Sequence, residues 1–246
     1  MNPWDIALIA VVSVMGTAVA YLRNPQHKAF MLMLPVPFSL ATMSVGQPVD
    51  ATNVVGIAVL FLFSAGVWFL HARLRWPIVP VILLCAIAYC LIGSGLARLL
   101  PKGNLAFWAA IAIVGLIALL LIRSLPHLEE PHYRTPLPVW IKLPAIALII
   151  LGIVAIKQQL GGFMTAFPMV GTITAYEARH SLWTILRRIP WIMILILPMH
   201  SVMRLTQDHI GVGGALLVGW PVFLFFLWLL RRSYTVASHP IAQGEA

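Results

Sequence analysis

Nine apolar stretches, each about one bilayer thick, fill most of this 246-residue chain. A helix of about 20 apolar residues, rising about 1.5 Å per residue, crosses the roughly 30 Å hydrocarbon core of a membrane. Only 9% of the residues are charged, against about 25% in a soluble domain. The pattern therefore predicts an all-α polytopic membrane protein. The predicted spans are 4–22, 29–46, 53–72, 76–99, 105–122, 139–156, 160–176, 182–203 and 210–230.

The basic residues stand one to three at a time at the ends of these stretches, which is typical of membrane proteins and not of nucleic-acid binding. With nine spans, twelve of the 16 lysines and arginines fall on one side, counting Lys142, and four on the other. The four are Arg98, Lys102, Lys157 and Arg204. The positive-inside rule then predicts an outside N-terminus and a cytoplasmic C-terminus, in the inner membrane if the source is bacterial.

The count of nine depends on a turn at residues 101–104, where the sequence reads Pro-Lys-Gly-Asn. An eight-span alternative merges the fourth and fifth stretches across this segment. The merger would reverse the later loops and weaken the charge asymmetry. The charge distribution therefore favours the turn.

A short segment recurs once in each half of the chain. It reads LPVPFSLATMSVG at 34–46 and AFPMVGTITAYEA at 166–178. Both copies have an early proline, then small and hydroxyl residues, and then an acid. Placing Pro37 on Pro168 gives an offset of 131 residues. The expected organisation is a first four-helix repeat at 1–100, a linking helix with a polar connection at 101–137, and a second repeat with a short tail at 138–246.

Four spans followed by one linking span place the second repeat upside down relative to the first. Inverted repeats are a common plan of secondary transporters, whose sites lie where Pro- or Gly-interrupted segments of the two halves meet. Proline leaves a helical carbonyl without its usual donor, so polar neighbours must satisfy it. The hydroxyls near Pro37 and Pro168 either do this or line a solute path. They belong to Ser39, Thr42, Ser44, Thr172 and Thr174.

The segment LMLPVPFSLATMSVG resembles the central part of the small four-helix GlpM-like membrane proteins, relatives of the DUF3147 family, which have a VPLFPTFAL-type motif in their second helix. The resemblance covers roughly 40 residues in each half. It rests on Pro37, Phe38, Leu40, Phe167, Pro168, Glu177 and Arg179. In the first half, Gln-Pro-Val-Asp at 47–50 replaces the expected acidic-basic turn. The resemblance implies a duplicated and fused four-helix unit, and little about its biochemistry.

The strongest local signal for a site is the run Glu177-Ala178-Arg179-His180 followed by Arg187 and Arg188. Arg187 is expected about 7–8 Å inside the eighth span, where a charge is a functional candidate by default. An arginine here can clamp an anion or form a pair with Glu177 that breaks during transport. The alternative is interfacial snorkelling to lipid phosphate. Adjacent arginines point about 100° apart on a helix, so at most one faces a given site.

Two further residues each allow two interpretations. Asp50 is either the N-cap of the third span or a proton-coupling carboxylate. His200 is either a hydrogen-bonded core histidine or a proton relay.

No hydrolase, P-loop, dinucleotide or metalloprotease motif is present in the sequence. The histidines lack metal spacing, and we expect no metal, no cofactor and no enzymatic activity. A haem or quinone protein and an intramembrane hydrolase are minor alternatives.

The predicted function is a small-solute secondary transporter or permease. The alternative is a non-transporting accessory or assembly subunit of a larger membrane complex. Expected partners are the lipid bilayer, a small anionic solute, and a second copy or a membrane-complex partner, with no nucleic acid. Convergence of Asp50, Glu177 and the hydroxyls near Pro37 and Pro168 in one cavity would favour transport.

Overall fold

A computed structural model of the chain describes residues 1–22, 31, 34–126 and 139–237, without the side chains of residues 139, 141, 142, 145 and 231–237. Within these ranges all regular elements are helical. They are α1 Pro3–Tyr21, α2 Val36–Val45, α3 Ala51–Trp68, α4 Ile78–Leu99, α5 Asn104–Ser124, α6 Val139–Ala155, α7 Lys157–Leu160, α8 Met169–Glu177 and α9 Leu182–Ala237. A π-helical turn, Phe69–Arg73, extends α3, and a 3-10 helix, Gly161–Ala166, follows α7. Parts of the predicted second span, the polar connection and the tail lie outside the described residues.

Five helices in the described ranges are long and apolar enough to cross a membrane, or six if the bent pair Ile146–Ala155 and Lys157–Ala166 forms one span. The five are α1, α3 with its π-helical turn, α4, α5 and the Leu182–Leu230 part of α9. The predicted second and seventh spans contain α2 and α8, which have only 10 and 9 residues. Each is about 15 Å long, half of a bilayer core.

Helix α9 turns back on itself at Gly211. This residue has φ 71° and ψ 170°, a conformation that glycine adopts easily. Gly219 packs against the side chains of Met199 and Met203. Met203 and Gly219 stand at equal distances along the chain from Gly211, so the segments before and after the turn lie side by side. The element therefore consists of two antiparallel arms, 182–210 and 212–237, which cover the predicted eighth and ninth spans.

Helices α1 and α6 pack against each other and run in opposite directions. Near the start of α1, the Asp5 carboxylate meets Lys157, just beyond the end of α6. Eleven residues further along α1, a Cβ on Gly16 would lie 3.2 Å from Ile146. Since residue numbers rise on one helix as they fall on the other, the two are antiparallel.

Helix α3 and the first arm of α9 show the same relation. The backbone of Val49, just before α3, pairs with the Gln207 side chain at the end of the first arm of α9. At the other end of α3, the Trp68 ring lies against the Trp183 ring at 4.7 Å between centroids. Helix α3 and the first arm of α9 are therefore also antiparallel.

A turn separates α4 from α5 at the Pro-Lys-Gly-Asn segment, because α4 ends at Leu99 and α5 begins at Asn104. Arg204 binds the Asn104 side chain, and Leu197 approaches Gly115. Helix α5 thus runs antiparallel to the first arm of α9 and parallel to α3. Helix α4 runs opposite to α3, so the chain reverses where the charge distribution predicts.

The loops consequently gather at two ends of the helix bundle. We call one the Asp5 end, where Asp5, Ser44, Asn104, Lys157 and Arg204 lie. We call the other the Trp183 end, where the Trp183 indole contacts Trp68 and donates to the Pro126 carbonyl at 3.1 Å.

The two short helices both begin directly after a proline. Pro35 precedes α2 with φ −79° and ψ 34°, and Pro168 precedes α8 with φ −73° and ψ 56°. Pro35 and Pro168 stand 168 minus 35, or 133, residues apart, whereas the sequence register pairs Pro37 with Pro168 at 131. Helix α2 ends at the Asp5 end and α8 leads to the Trp183 end, so both start in the middle of the bundle.

Candidate functional site

A cavity of about 140 Å³ lies in the middle of the bundle, between α3, the first arm of α9 and the first turns of α2 and α8. Along α3 it extends from Ile57 to Val67, which is about 15 Å at 1.5 Å per residue. Its walls are mainly aliphatic and aromatic side chains, including Leu60, Phe63, Ile189 and Ile192. The cavity reaches Leu182 at the start of α9, so it extends toward the Trp183 end.

The N-terminal turns of both short helices line this cavity. Pro37 and Phe38 come from α2, and Pro168 and Met169 come from the start of α8. The N-terminus of a helix carries the positive end of its dipole, equivalent to about half a charge. Two such ends at one cavity favour a negatively charged group inside it.

Arg188 is the charged side chain that lines the cavity. It is partly buried, and no described group forms a hydrogen bond or an ion pair with its guanidinium. Among the described residues that line the cavity, none carries a carboxylate. The site is therefore an apolar chamber with one unneutralised cation.

The 3-10 helix Gly161–Ala166 forms the wall between the cavity and the Asp5 end. A Cβ on Gly162 would lie 2.2 Å from Thr52 Oγ1 and 2.7 Å from the Asn53 backbone nitrogen, so only glycine fits there. The Asn53 side chain donates to Thr165 Oγ1 at 3.1 Å. Helix α3 and this segment are thus locked together at close range.

Tyr89 of α4 holds the same segment from the other side. Its hydroxyl donates to the Phe163 carbonyl at 2.8 Å, and its ring meets Phe167 edge-on at 5.2 Å. Non-helical backbone at membrane depth is tolerated where protein buries it and satisfies its polar groups. Tyr89 meets this requirement for a carbonyl that the 3-10 helix leaves available.

A buried polar cluster closes the Asp5 end between α1, the end of α2 and the start of α7. The Lys157 ammonium donates to Asp5 Oδ1 at 2.5 Å and to the Ser44 carbonyl at 2.9 Å. The Asp5 side chain is 0% exposed and that of Lys157 is 14% exposed. Asp5 also accepts from the Ser44 hydroxyl and the Asn2 backbone, so its carboxylate is well satisfied.

A second cluster joins the loop before α3 to two helices at the same end. Arg204 donates through Nε and Nη2 to the Asn104 side chain and through Nη1 to the Val49 carbonyl. Gln207 accepts from the Val49 backbone N–H at 2.7 Å and donates to its carbonyl at 3.0 Å. The loop before α3 is therefore fixed to α5 and α9.

Of the residues that the sequence suggests for a site, the structure brings Pro37, Pro168 and Arg188 together at the cavity. Asp50 lies elsewhere. It is the N-cap of α3 and accepts from the Thr52 backbone at 2.8 Å, which matches the capping interpretation. Glu177 is buried at the C-terminal end of α8 and does not line the cavity.

The remaining candidates also lie away from the cavity. Arg187 donates through Nε to the Leu125 carbonyl at 3.3 Å, and Arg179 lies over the Tyr176 ring in the turn after α8. His200 is fully buried with Nδ1 2.9 Å from the Ile196 carbonyl. Its ring lies behind the Phe38 ring, tilted by 46° with 4.6 Å between ring centroids, so it lies one layer away from the cavity.

The hydroxyls near the two prolines mostly satisfy their own helices. Ser39 Oγ donates to the Pro35 carbonyl, and Thr172 and Thr174 donate to carbonyls three and four residues earlier. They stabilise the short helices and are not part of the cavity lining, so the expected convergence of Asp50, Glu177 and these hydroxyls in one cavity is not found among the described residues.

Sequence reasoning missed the pair of Asp5 and Lys157. Both residues stand at the ends of apolar stretches, and the predicted topology puts both on the N-terminal side. The available signal was that the predicted topology puts an acid and a base on one side, but other charged residues, among them Arg98, Lys102 and Arg204, fall on that side as well.

No group of three or more His, Cys, Asp or Glu side chains in the described ranges is arranged to hold a metal ion. No family model, curated protein or solved structure shows significant similarity to the chain. The GlpM-like relationship stays a prediction.

Proposed function

We propose that the protein is a small-solute secondary transporter or permease, built from two inverted four-helix repeats joined by α5. The observation that carries the proposal is the central cavity, which lies at the first turns of two proline-preceded short helices, one from each half. Discontinuous helices that begin near the membrane midplane typically form the binding sites of transporters.

The inverted relation of the halves is supported by their packing. In the register with an offset of 133, α1 corresponds to α6, α2 to α8, α3 to the first arm of α9, and α4 to the second arm. The described contacts make α1 antiparallel to α6 and α3 antiparallel to the first arm of α9. Corresponding helices of opposite direction are what an inversion requires.

We also propose nine membrane passages, of which the second and seventh are interrupted and contain α2 and α8. The Asp5 end then faces outside, and the Trp183 end faces the cytoplasm. In support, Lys157 and Arg204, from the basic-poor set, lie at the Asp5 end, whereas Arg73 and Arg123 end helices that lead to the Trp183 end.

In this proposal the described conformation is closed to the outside. The Asp5–Lys157 pair and the Arg204 cluster seal the Asp5 end, while the cavity extends toward the Trp183 end. Transport requires a second conformation in which the Asp5 end opens and the Trp183 end closes.

Cysteine accessibility tests this function without knowledge of the solute. Ser64 lines the cavity, so Ser64→Cys is introduced with Cys85→Ala and Cys90→Ala. A membrane-impermeant thiol reagent is applied to right-side-out vesicles and, separately, to inside-out vesicles. A transporter predicts labelling from both sides, because each conformation exposes the cavity to one side.

Gln47→Cys and Ser124→Cys serve as sidedness controls, because these residues are exposed at the Asp5 end and the Trp183 end. Each should react in one vesicle orientation only, and in opposite ones. Labelling of Ser64→Cys from neither side, or from one side alone, would contradict alternating access and support the accessory-subunit alternative.

A further inference from the structure

Resting on the proposed transport function, we infer that the cavity binds a small organic monocarboxylate with an apolar body of about six carbons, its carboxylate on Arg188. Benzoate and hexanoate represent the class. The inference depends on three features of the cavity, which are its size, its apolar walls and its single unneutralised cation.

The size of the cavity limits the solute. Pockets for drug-sized ligands measure about 300–1,000 Å³, whereas this cavity measures about 140 Å³. An engineered apolar cavity of about 150 Å³ holds one benzene molecule. The apolar part of the solute is therefore about one six-carbon ring or chain.

The walls and the cation determine the chemistry. Phe63, Ile189 and Ile192 offer contact to a hydrocarbon body and no hydrogen bonds to a sugar or a polyol. Arg188 offers a guanidinium fork, which binds a carboxylate through two parallel hydrogen bonds. The first turns of α2 and α8 add positive potential on the same cavity. Amphipathic anions therefore fit better than neutral polar solutes or cations.

The phosphate of an anionic lipid would offer Arg188 the same kind of charge, but the two acyl chains of the lipid exceed the cavity. An anionic lipid would leave most of its hydrocarbon outside and would bind by its phosphate alone. A six-carbon carboxylate uses the chamber and the guanidinium together, so we assign the site to the solute.

Binding to the purified protein in a neutral detergent tests the inference. Radiolabelled benzoate, neutral benzyl alcohol and inorganic phosphate are compared by equilibrium dialysis. We expect benzoate to bind most tightly, benzyl alcohol weakly and phosphate not at all. Arg188→Gln should weaken benzoate binding at least about tenfold, the scale of a lost charge-assisted hydrogen bond, and leave benzyl alcohol binding unchanged.

Arg187→Gln is the matched control, because Arg187 is the neighbouring arginine and bonds the Leu125 carbonyl away from the cavity. It should bind benzoate like the natural chain. Ser64→Phe fills the chamber and should abolish binding of both aromatic compounds, whereas Ser94→Phe on α4, outside the cavity lining, should not. Circular dichroism and gel filtration confirm that each variant is folded.

Three results would overturn the inference. The first is that benzoate does not bind to the natural protein. The second is that Arg187→Gln and Arg188→Gln weaken benzoate binding equally. The third is that phosphate or phosphatidylglycerol displaces benzoate and still binds to the Ser64→Phe variant. The last result would assign Arg188 to a headgroup phosphate. Because this assay measures binding in detergent, it can succeed while the two-sided cysteine test fails, and the two proposals are thereby separated.

Discussion

The two ends of the bundle are built on opposite principles. At the Asp5 end, the helices are joined by directed polar contacts such as the Asp5–Lys157 pair and the Arg204–Asn104 bonds. Toward the Trp183 end, α3 and the first arm of α9 enclose an apolar cavity with one arginine. Polar contacts need specific geometry to compensate for desolvation, whereas contacts between apolar walls are non-directional. The difference suggests one sealed end and one accessible end.

The largest expected effect comes from the wall between the two regions. Gly162→Ala would place a methyl group against Thr52 and the Asn53 backbone, which cannot move without shifting α3. We expect a loss of about 3 kcal/mol in the free energy of unfolding, measured by denaturant titration in mixed micelles. Gly95→Ala on α4 has open space around its Cβ and should be at least as stable as the natural chain, because alanine favours a helix over glycine. Equal stability of both variants would contradict the described wall.

The sealed end depends next on its ion pair. Asp5→Asn leaves the Lys157 ammonium without its carboxylate, and we expect a loss of about 2 kcal/mol, below the 3–5 kcal/mol of fully buried pairs, because Lys157 is 14% exposed and can rehydrate. The double variant Asp5→Asn with Lys157→Gln should lose less than the sum of the single losses. Additive losses would show that the two residues do not interact.

A smaller effect is expected from the bond that holds the 3-10 helix. Tyr89→Phe removes the hydroxyl that donates to the buried Phe163 carbonyl, so the free energy of unfolding should fall by about 1–2 kcal/mol. The control is Ser94→Ala, which loses only a bond to its own helix at Leu91. A Tyr89→Phe protein as stable as that control would mean that the carbonyl has another donor.

The smallest effect is expected at the solvent-exposed contact of the Asp5 end. Asn104→Ala removes one acceptor of Arg204, which keeps its bond to the Val49 carbonyl. Since exposed polar contacts contribute little, the change in unfolding free energy should stay below about 0.5 kcal/mol. A loss as large as that of Asp5→Asn would show that the seal depends on Arg204 instead of the ion pair.

Much of the layout could be predicted from the sequence, because apolar length and flanking charge are local properties. They predicted the reversal at Pro101–Asn104 and the long helices α1, α3, α4 and α5. The shortness of α2 and α8 could not be predicted, since average apolar content does not report where a helix breaks after Pro35 or Pro168.

The candidate site was predicted less completely. Helical geometry predicted that only one of Arg187 and Arg188 faces a site, but the choice of Arg188 depends on how α9 packs on α3. Asp50 has a capping role because Thr52 and Asn53 follow it. Lys157 and Asp5 are 152 residues apart in the chain, and no local pattern links them.

The most direct test of the central claim is the distance across each end of the bundle, measured by double electron–electron resonance in liposomes. Spin labels at Gln47 and Gln158 span the Asp5 end, and labels at Leu74 and His180 span the Trp183 end; all four residues are exposed. We predict that Asp5→Asn lengthens the first distance and shortens the second, because breaking the seal favours the opposite conformation. Distances that stay unchanged at both ends, or that lengthen together, would contradict a transporter that opens its two ends in turn.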